Sequence, residues 1–137
     1  MEHLTKEEII SLIDNDPNNG EHYQELGKYY LRNKIFIEAE HYLKKSLELD
    51  CNDVWTYLYM GNLYNRKERY VEAIAYFEQA IEVNPDEPTS YWCIAEMYEK
   101  LEQFEKANSF FEKAADIDPN NEQTLKKLSE WKEWYLD

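Results

Sequence analysis

Apolar residues in this chain cluster at i, i+3, i+4 and i+7, and the clusters themselves recur. Tyr23, Leu26, Gly27 and Tyr30 form one such set, and Ala39, Leu43, Ser46 and Leu47 form the next after the polar pair Asn33-Lys34. That spacing places side chains on one face of a 3.6-residue helix. It predicts helices over 20–32 and 36–49, joined by a tight turn. Tyr23, Tyr57 and Tyr91 then repeat every 34 residues, and so do Tyr30, Tyr64 and Tyr98, Phe36, Tyr70 and Phe104, and Ala39, Ala73 and Ala107. A fixed period of this length means stacked two-helix units rather than one closed globule. The expected fold is all-α, an α-solenoid of antiparallel helix pairs with about eight helices.

The breaks agree with the period. Asp16-Pro17, Asn84-Pro85 and Asp118-Pro119 each predict a helix end, because the residue before proline avoids αR and proline lacks a donor. Pro88 belongs in the first turn of a helix, where a missing N–H costs nothing. The expected single domain of 1–137 divides into an N-terminal half-repeat helix (1–17), repeats at 18–51, 52–85 and 86–119, and a C-terminal capping helix (120–137). In the first half unit Leu4, Ile9, Leu12 and Ile13 supply the apolar face. In the last, Leu125 and Leu128 take the apolar slots, and Lys132 stands where a tyrosine is expected.

Small residues share their own phase: Gly27, Gly61 and Ala95 in the first helices, and Ala39, Ala73 and Ala107 in the second. A mid-helix glycine costs about 1 kcal/mol against alanine, so its recurrence points to two helices crossing too closely for a side chain. Gly61→Leu is expected to overpack that crossing by about 1–3 kcal/mol or more.

Composition narrows the function. With 3 glycines and 4 prolines in 137 residues, the chain is suited to helix. Its 29 acidic and 15 basic residues leave a net charge of −14, which disfavours nucleic acid and anionic membrane surfaces as partners. Cys51 and Cys93 lack CxxC spacing, and two free thiols in a reducing, cytoplasmic setting are expected. No signal-like or membrane-spanning segment is visible.

The units resemble the tetratricopeptide repeat (TPR). The resemblance rests on Tyr23-x2-Leu26-Gly27-x2-Tyr30 with Ala39-x3-Leu43, Tyr57-x2-Met60-Gly61-x2-Tyr64 with Ala73-x3-Phe77 and Pro85, and Tyr91-x2-Ile94-Ala95-x2-Tyr98 with Ala107-x3-Phe111 and Pro119. Tyrosine replaces the usual tryptophan at the head of each unit, and Cys51 replaces the first closing proline. The resemblance implies a right-handed superhelix whose concave wall, built from the first helix of each pair, holds a peptide or a partner protein. One subclass of the family grips acidic chaperone tails through a carboxylate clamp of Lys, Asn and Arg. This chain has Gln24, Lys28, Tyr59, Thr89 and Cys93 at the matching places, with Lys28 where a clamp asparagine belongs, so that ligand class is not expected.

Helical phase assigns the concave wall. It collects Glu21, Gln24, Lys28, Leu31 and Arg32 from the first unit, and Trp55, Leu58, Tyr59, Asn62, Asn65 and Arg66 from the second. The third adds Thr89, Trp92, Cys93, Glu96, Glu99 and Lys100, and the cap adds Gln123, Lys126, Lys127 and Glu130. Six basic and four acidic side chains fall there, so the acidic excess belongs to the outer surface. The candidate partner-binding residues are Lys28, Trp55, Tyr59, Asn62, Asn65, Arg66 and Trp92. Trp55, Tyr59 and Trp92 are the aromatic anchors, because the core slots of their helices are already filled. Asn62, Asn65 and Arg66 lie within a turn and suit a peptide backbone and a carboxylate. The competing reading is that the aromatics pack against neighbouring helices and that the polar trio is a solvated face.

Catalytic chemistry finds no support. His3, His22 and His41 share no ligand spacing, no phosphate loop or nucleophile motif occurs, and the pair Glu96 and Glu99 reads as a solvated helix face. No catalytic residue, metal or cofactor is expected. The expected function is a noncatalytic adaptor that binds a peptide or protein in the groove. The alternative is a self-associating scaffold that stacks through its terminal helices. Trp131 and Tyr135 are expected to seal the last repeat, and Trp134 to be available for self-association.

Overall fold

A computed structural model describes the backbone of residues 3–135 and the side chains of residues 3–133. The described residues form eight α-helices and no strand: α1 (Lys6–Asn15), α2 (Gly20–Arg32), α3 (Phe36–Glu48), α4 (Val54–Arg66), α5 (Tyr70–Val83), α6 (Pro88–Lys100), α7 (Phe104–Ile117) and α8 (Glu122–Tyr135). The expectation of an all-α solenoid with eight helices holds. The three predicted proline breaks fall at the ends of α1, α5 and α7, and Pro88 opens α6. The side chains of Trp134 and Tyr135 lie outside the described residues.

From α2 onward, helix starts alternate between two devices. The first helix of each pair has a side-chain cap, at positions 34 residues apart. Asn19 accepts from the Glu21 N–H, Asp53 from the Thr56 N–H and Glu87 from the Thr89 N–H, and Asn121 accepts from the Thr124 N–H at the start of α8. These acceptors occupy donors that a helix N-terminus otherwise leaves open. The second helices, α3, α5 and α7, have no such cap. They follow tight turns in which Lys34, Glu68 and Glu102 adopt left-handed backbone, with φ of 62°, 61° and 59°. In each turn the next residue's N–H reaches back to a tyrosine carbonyl: Ile35 to Tyr30, Arg69 to Tyr64, and Gln103 to Tyr98, all at 2.9 Å. This arrangement satisfies the orphan carbonyls of the preceding helix.

The core lies between the members of each pair and between successive pairs. α2 packs on α3, α4 on α5 and α6 on α7, while α1 covers α2 and α8 covers α7. Met60, Leu63, Phe77, Ile94 and Met97 are fully buried at the centre, where each large apolar side chain contributes about 1.5–3 kcal/mol. A smaller cluster of Ala95, Ala107 and Phe111 joins the third pair to Leu128 of the cap. The close crossings expected from the small residues are present. A Cβ on Gly27 would lie 2.6 Å from Leu43 Cγ, and one on Gly61 would run into the ring of Phe77.

Two apolar expectations change. Leu125 keeps the tyrosine phase of the repeats but is 47% exposed. No second helix follows α8 among the described residues to cover it. Leu4 lies ahead of α1 and is also exposed, while Ile9 carries the contact of that helix.

A candidate partner-binding groove

The first helices α2, α4, α6 and α8 line one wall, and the wall carries two depressions, one on each side of α6. The first, of about 310 Å³, lies between α4 and α6. Its lining is Trp55, Leu58, Tyr59, Asn62 and Asn65 from α4, Thr89, Cys93, Glu96 and Met97 from α6, and Phe77 beneath. The second, of about 360 Å³, lies between α6 and α8 and is lined by Trp92, Gln123, Lys126, Lys127 and Glu130.

The structure divides the candidate anchors between them. Trp55 is 45% exposed at the rim of the first depression. Tyr59 is half-buried there, with Lys28 Nζ 6.0 Å from its ring centroid. Burial pushes its hydroxyl pKa up, and the nearby charges of Glu25 and Asp53 add to that rise. Trp92 faces the second depression. It packs edge-on against Phe111, with centroids 5.6 Å apart, and its buried indole N–H has no hydrogen-bond partner. A buried donor left unpaired is costly, so this indole is both a packing element and an open donor.

The polar candidates are largely committed within the stack. Arg66 donates to the Leu31 carbonyl at the end of α2 (3.3 Å), and Asn65 accepts from Lys100 Nζ (2.6 Å). Lys28 lies 3.9 Å from Glu25. Asn62 has no hydrogen-bond partner among the described residues. Three side chains assigned to the wall by phase are instead buried: Leu31, Leu58 and Gln24. Gln24 and Leu31 sit where α2 and α4 touch, and Leu58 forms part of the floor between α4 and α6. Gln24 Nε2 donates to both oxygens of the capping Asp53 (2.8 and 3.0 Å) and to Thr56 Oγ1 (2.6 Å). It therefore ties one repeat to the start of the next.

A second inter-repeat tie has no signal in the periodicity. Glu40 of α3 accepts from the Tyr64 hydroxyl (2.8 Å) and pairs with Lys67 and Lys44 (both 2.9 Å). Lys67 first, then Lys44, draws its carboxyl from the ordinary 4.5 down to about 2.

Around Glu96 the balance is reversed. Burial raises its carboxyl pKa, Lys100 and Lys127 oppose the rise, and Glu99 adds to it. The neighbouring Cys93 thiol is pushed up to about 12, by burial and then by Glu96, and is an unreactive neutral group. Both cysteines are free. Among the described residues no helix is long and apolar enough to cross a membrane, and no cluster of His, Cys, Asp and Glu has metal-binding geometry.

The tetratricopeptide repeat model matches residues 54–87 and again 88–121. Among solved structures, the chain is similar to a crystal structure of MamA, at 24% identity over 93% of this chain and 74% of that one, with a TM-score of 0.80. It is also similar to the first TPR of Spaghetti (RPAP3) bound to the HSP90 peptide SRMEEVD, at 18% identity, 89% and 97% coverage, and a TM-score of 0.78. The Arabidopsis OM64 TPR domain is similar at 15% identity, 84% and 95% coverage, and a TM-score of 0.75. At these identities the likeness is one of fold. No curated protein matches the chain.

Proposed function

We propose, on the premise that this chain belongs to the tetratricopeptide repeat family, that it is a noncatalytic adaptor that holds a peptide or partner protein along the wall of α2, α4, α6 and α8. The observation that carries this reading is the pair of depressions on either side of α6, with Trp55 and Tyr59 at one and Trp92 at the other. A preformed helical wall does not need to be ordered on binding, and large aromatics beside a depression are suited to be anchors. Lys28, Asn62, Asn65 and Arg66 frame the same wall. An acidic chaperone tail is not the proposed ligand. Gln24 is buried in the α2–α4 contact, Lys28 lies beside Glu25, and Tyr59, Thr89 and Cys93 supply no cation. A cytoplasmic setting accords with the two free thiols.

The test is affinity capture with the wild-type chain and with a Tyr59→Ala/Trp92→Ala variant, then titration of each captured protein against wild type, Tyr59→Ala and Trp92→Ala. Each anchor is expected to be worth about 2 kcal/mol of binding. Unchanged affinity in both single variants removes the groove assignment.

Exposed apolar residues at the two ends, Leu4 and Ile10 at one and Leu125 at the other, favour a second reading, end-to-end self-association. Light scattering across a concentration series decides it: a strict monomer ends the idea.

A further inference from the structure

The depression between α4 and α6 is mostly apolar and aromatic, with Asn62, Asn65 and Thr89 as neutral polar members of its lining. Glu96 is the only side chain in its lining with a formal charge at neutral pH. It is half-buried and has no ion pair or hydrogen bond among the described residues. The cations near it are engaged elsewhere. Lys100 Nζ donates to Asn65 at 2.6 Å and lies 5.4 Å from the Tyr70 ring centroid, while Lys127 Nζ pairs with Glu99 at 3.2 Å. The other titratable neighbour on its helix, Cys93, is neutral. A half-buried carboxylate without an ion pair or hydrogen bond, its charge offset only at a distance by Lys100 and Lys127, is an unfavourable element of the free protein, and a cation delivered into the same cavity reduces that penalty. Along the wall, positions 28, 62, 96 and 130 recur on successive first helices and hold Lys, Asn, Glu and Glu. The charge therefore changes sign between α2 and α6.

We propose that this depression selects a partner segment in which a lysine or arginine stands beside an apolar side chain. The cation meets Glu96, and the apolar neighbour lies against Trp55 and Tyr59. A guanidinium or ammonium reaching a carboxylate in a mostly apolar cavity makes a charge-assisted hydrogen bond, and its register along the groove follows from the single position of that carboxylate. A glutamate at the same place in the partner meets a like charge, and a glutamine leaves Glu96 unneutralised. This inference rests on the groove reading above and adds the chemistry of the ligand.

The test uses three pools of 12-residue peptides, randomised among uncharged residues, with the central position held as Arg, Gln or Glu. Fluorescence polarisation measures binding to wild type, Glu96→Gln, Glu96→Lys and Tyr59→Ala, each checked for an unchanged helical circular dichroism spectrum. Wild type is expected to bind the Arg pool about tenfold tighter than the Gln pool, with the Glu pool weakest. Glu96→Gln abolishes the Arg preference, and Glu96→Lys transfers it to the Glu pool. Equal binding of the Arg and Gln pools by wild type overturns the proposal, as does an Arg preference that survives Glu96→Gln. If Tyr59→Ala still weakens binding in those cases, the groove reading stands and only the charge selection falls. If no pool binds wild type, both fall.

Discussion

Phe77 of α5 lies flat across Gly61 of α4, so close that a single Cβ on residue 61 would enter its ring. The same crossing recurs one repeat earlier as Gly27 against Leu43. One repeat later Ala95 and Phe111 share a cluster, so the third pair tolerates the methyl group that the second excludes. The partner is a phenylalanine in both the second and third pairs, so the demand for glycine follows from how closely the two helices cross and where the ring sits, not from the partner's volume.

Gly61→Ala is expected to destabilise the chain by about 1–3 kcal/mol, even though alanine is the better helix former. Urea denaturation of Gly61→Ala and of Gly61→Ala/Phe77→Leu measures it. The second change is not expected to restore the loss, because in the first repeat a Cβ on Gly27 would still lie 2.6 Å from Leu43 Cγ.

Glu40 joins α3 to Tyr64 and Lys67 in the second repeat. Its carboxyl is depressed to about 2, so its contribution is present above the ordinary 4.5 and is lost as pH falls towards 2. With partly exposed partners, Glu40→Gln is expected to cost about 1–2 kcal/mol at neutral pH. Thermal melts from pH 7 to pH 2 are expected to converge for wild type and variant at the acid end.

Glu96 has the opposite sign. Its carboxyl is raised, so the stability it contributes is present at low pH and is lost as pH rises through its folded pKa. Glu96→Gln is expected to melt higher than wild type at pH 7 and to match it below the ordinary carboxylate range. A lower melting temperature at pH 7 contradicts the described burial of this carboxylate.

Lys34, Glu68 and Glu102 occupy left-handed backbone that costs a non-glycine residue about 1–2 kcal/mol. Part of any gain on glycine substitution is offset by the freedom of glycine in the unfolded chain. Glu68→Gly is therefore expected to stabilise by about 0.5–1 kcal/mol, read as a shift of the urea midpoint with an unchanged slope.

Helical phase located the α4 and α6 wall residues but misplaced its floor. Leu31 and Gln24 share the phase of the wall, yet α2 and α4 approach closely enough to bury them. Phase states which way a side chain leaves its own helix, and the crossing of the neighbouring helix decides whether water reaches it. Trp92 shows the same limit. Its phase groups it with Tyr59, but α8 and Phe111 place it in a separate depression.

The 34-residue period and the proline breaks determined the number of helices, their approximate boundaries and the positions of the close crossings. Those features depend on local backbone preference and on volumes that recur in step. The polar partners were decided by the stack: Glu40 reaches Tyr64 and Lys67, Gln24 reaches Asp53, and Lys100 takes Asn65 rather than Glu96. These contacts span 24 to 35 residues along the chain. They break the repeat because each depends on a single side chain of the right length and charge meeting another across two helices.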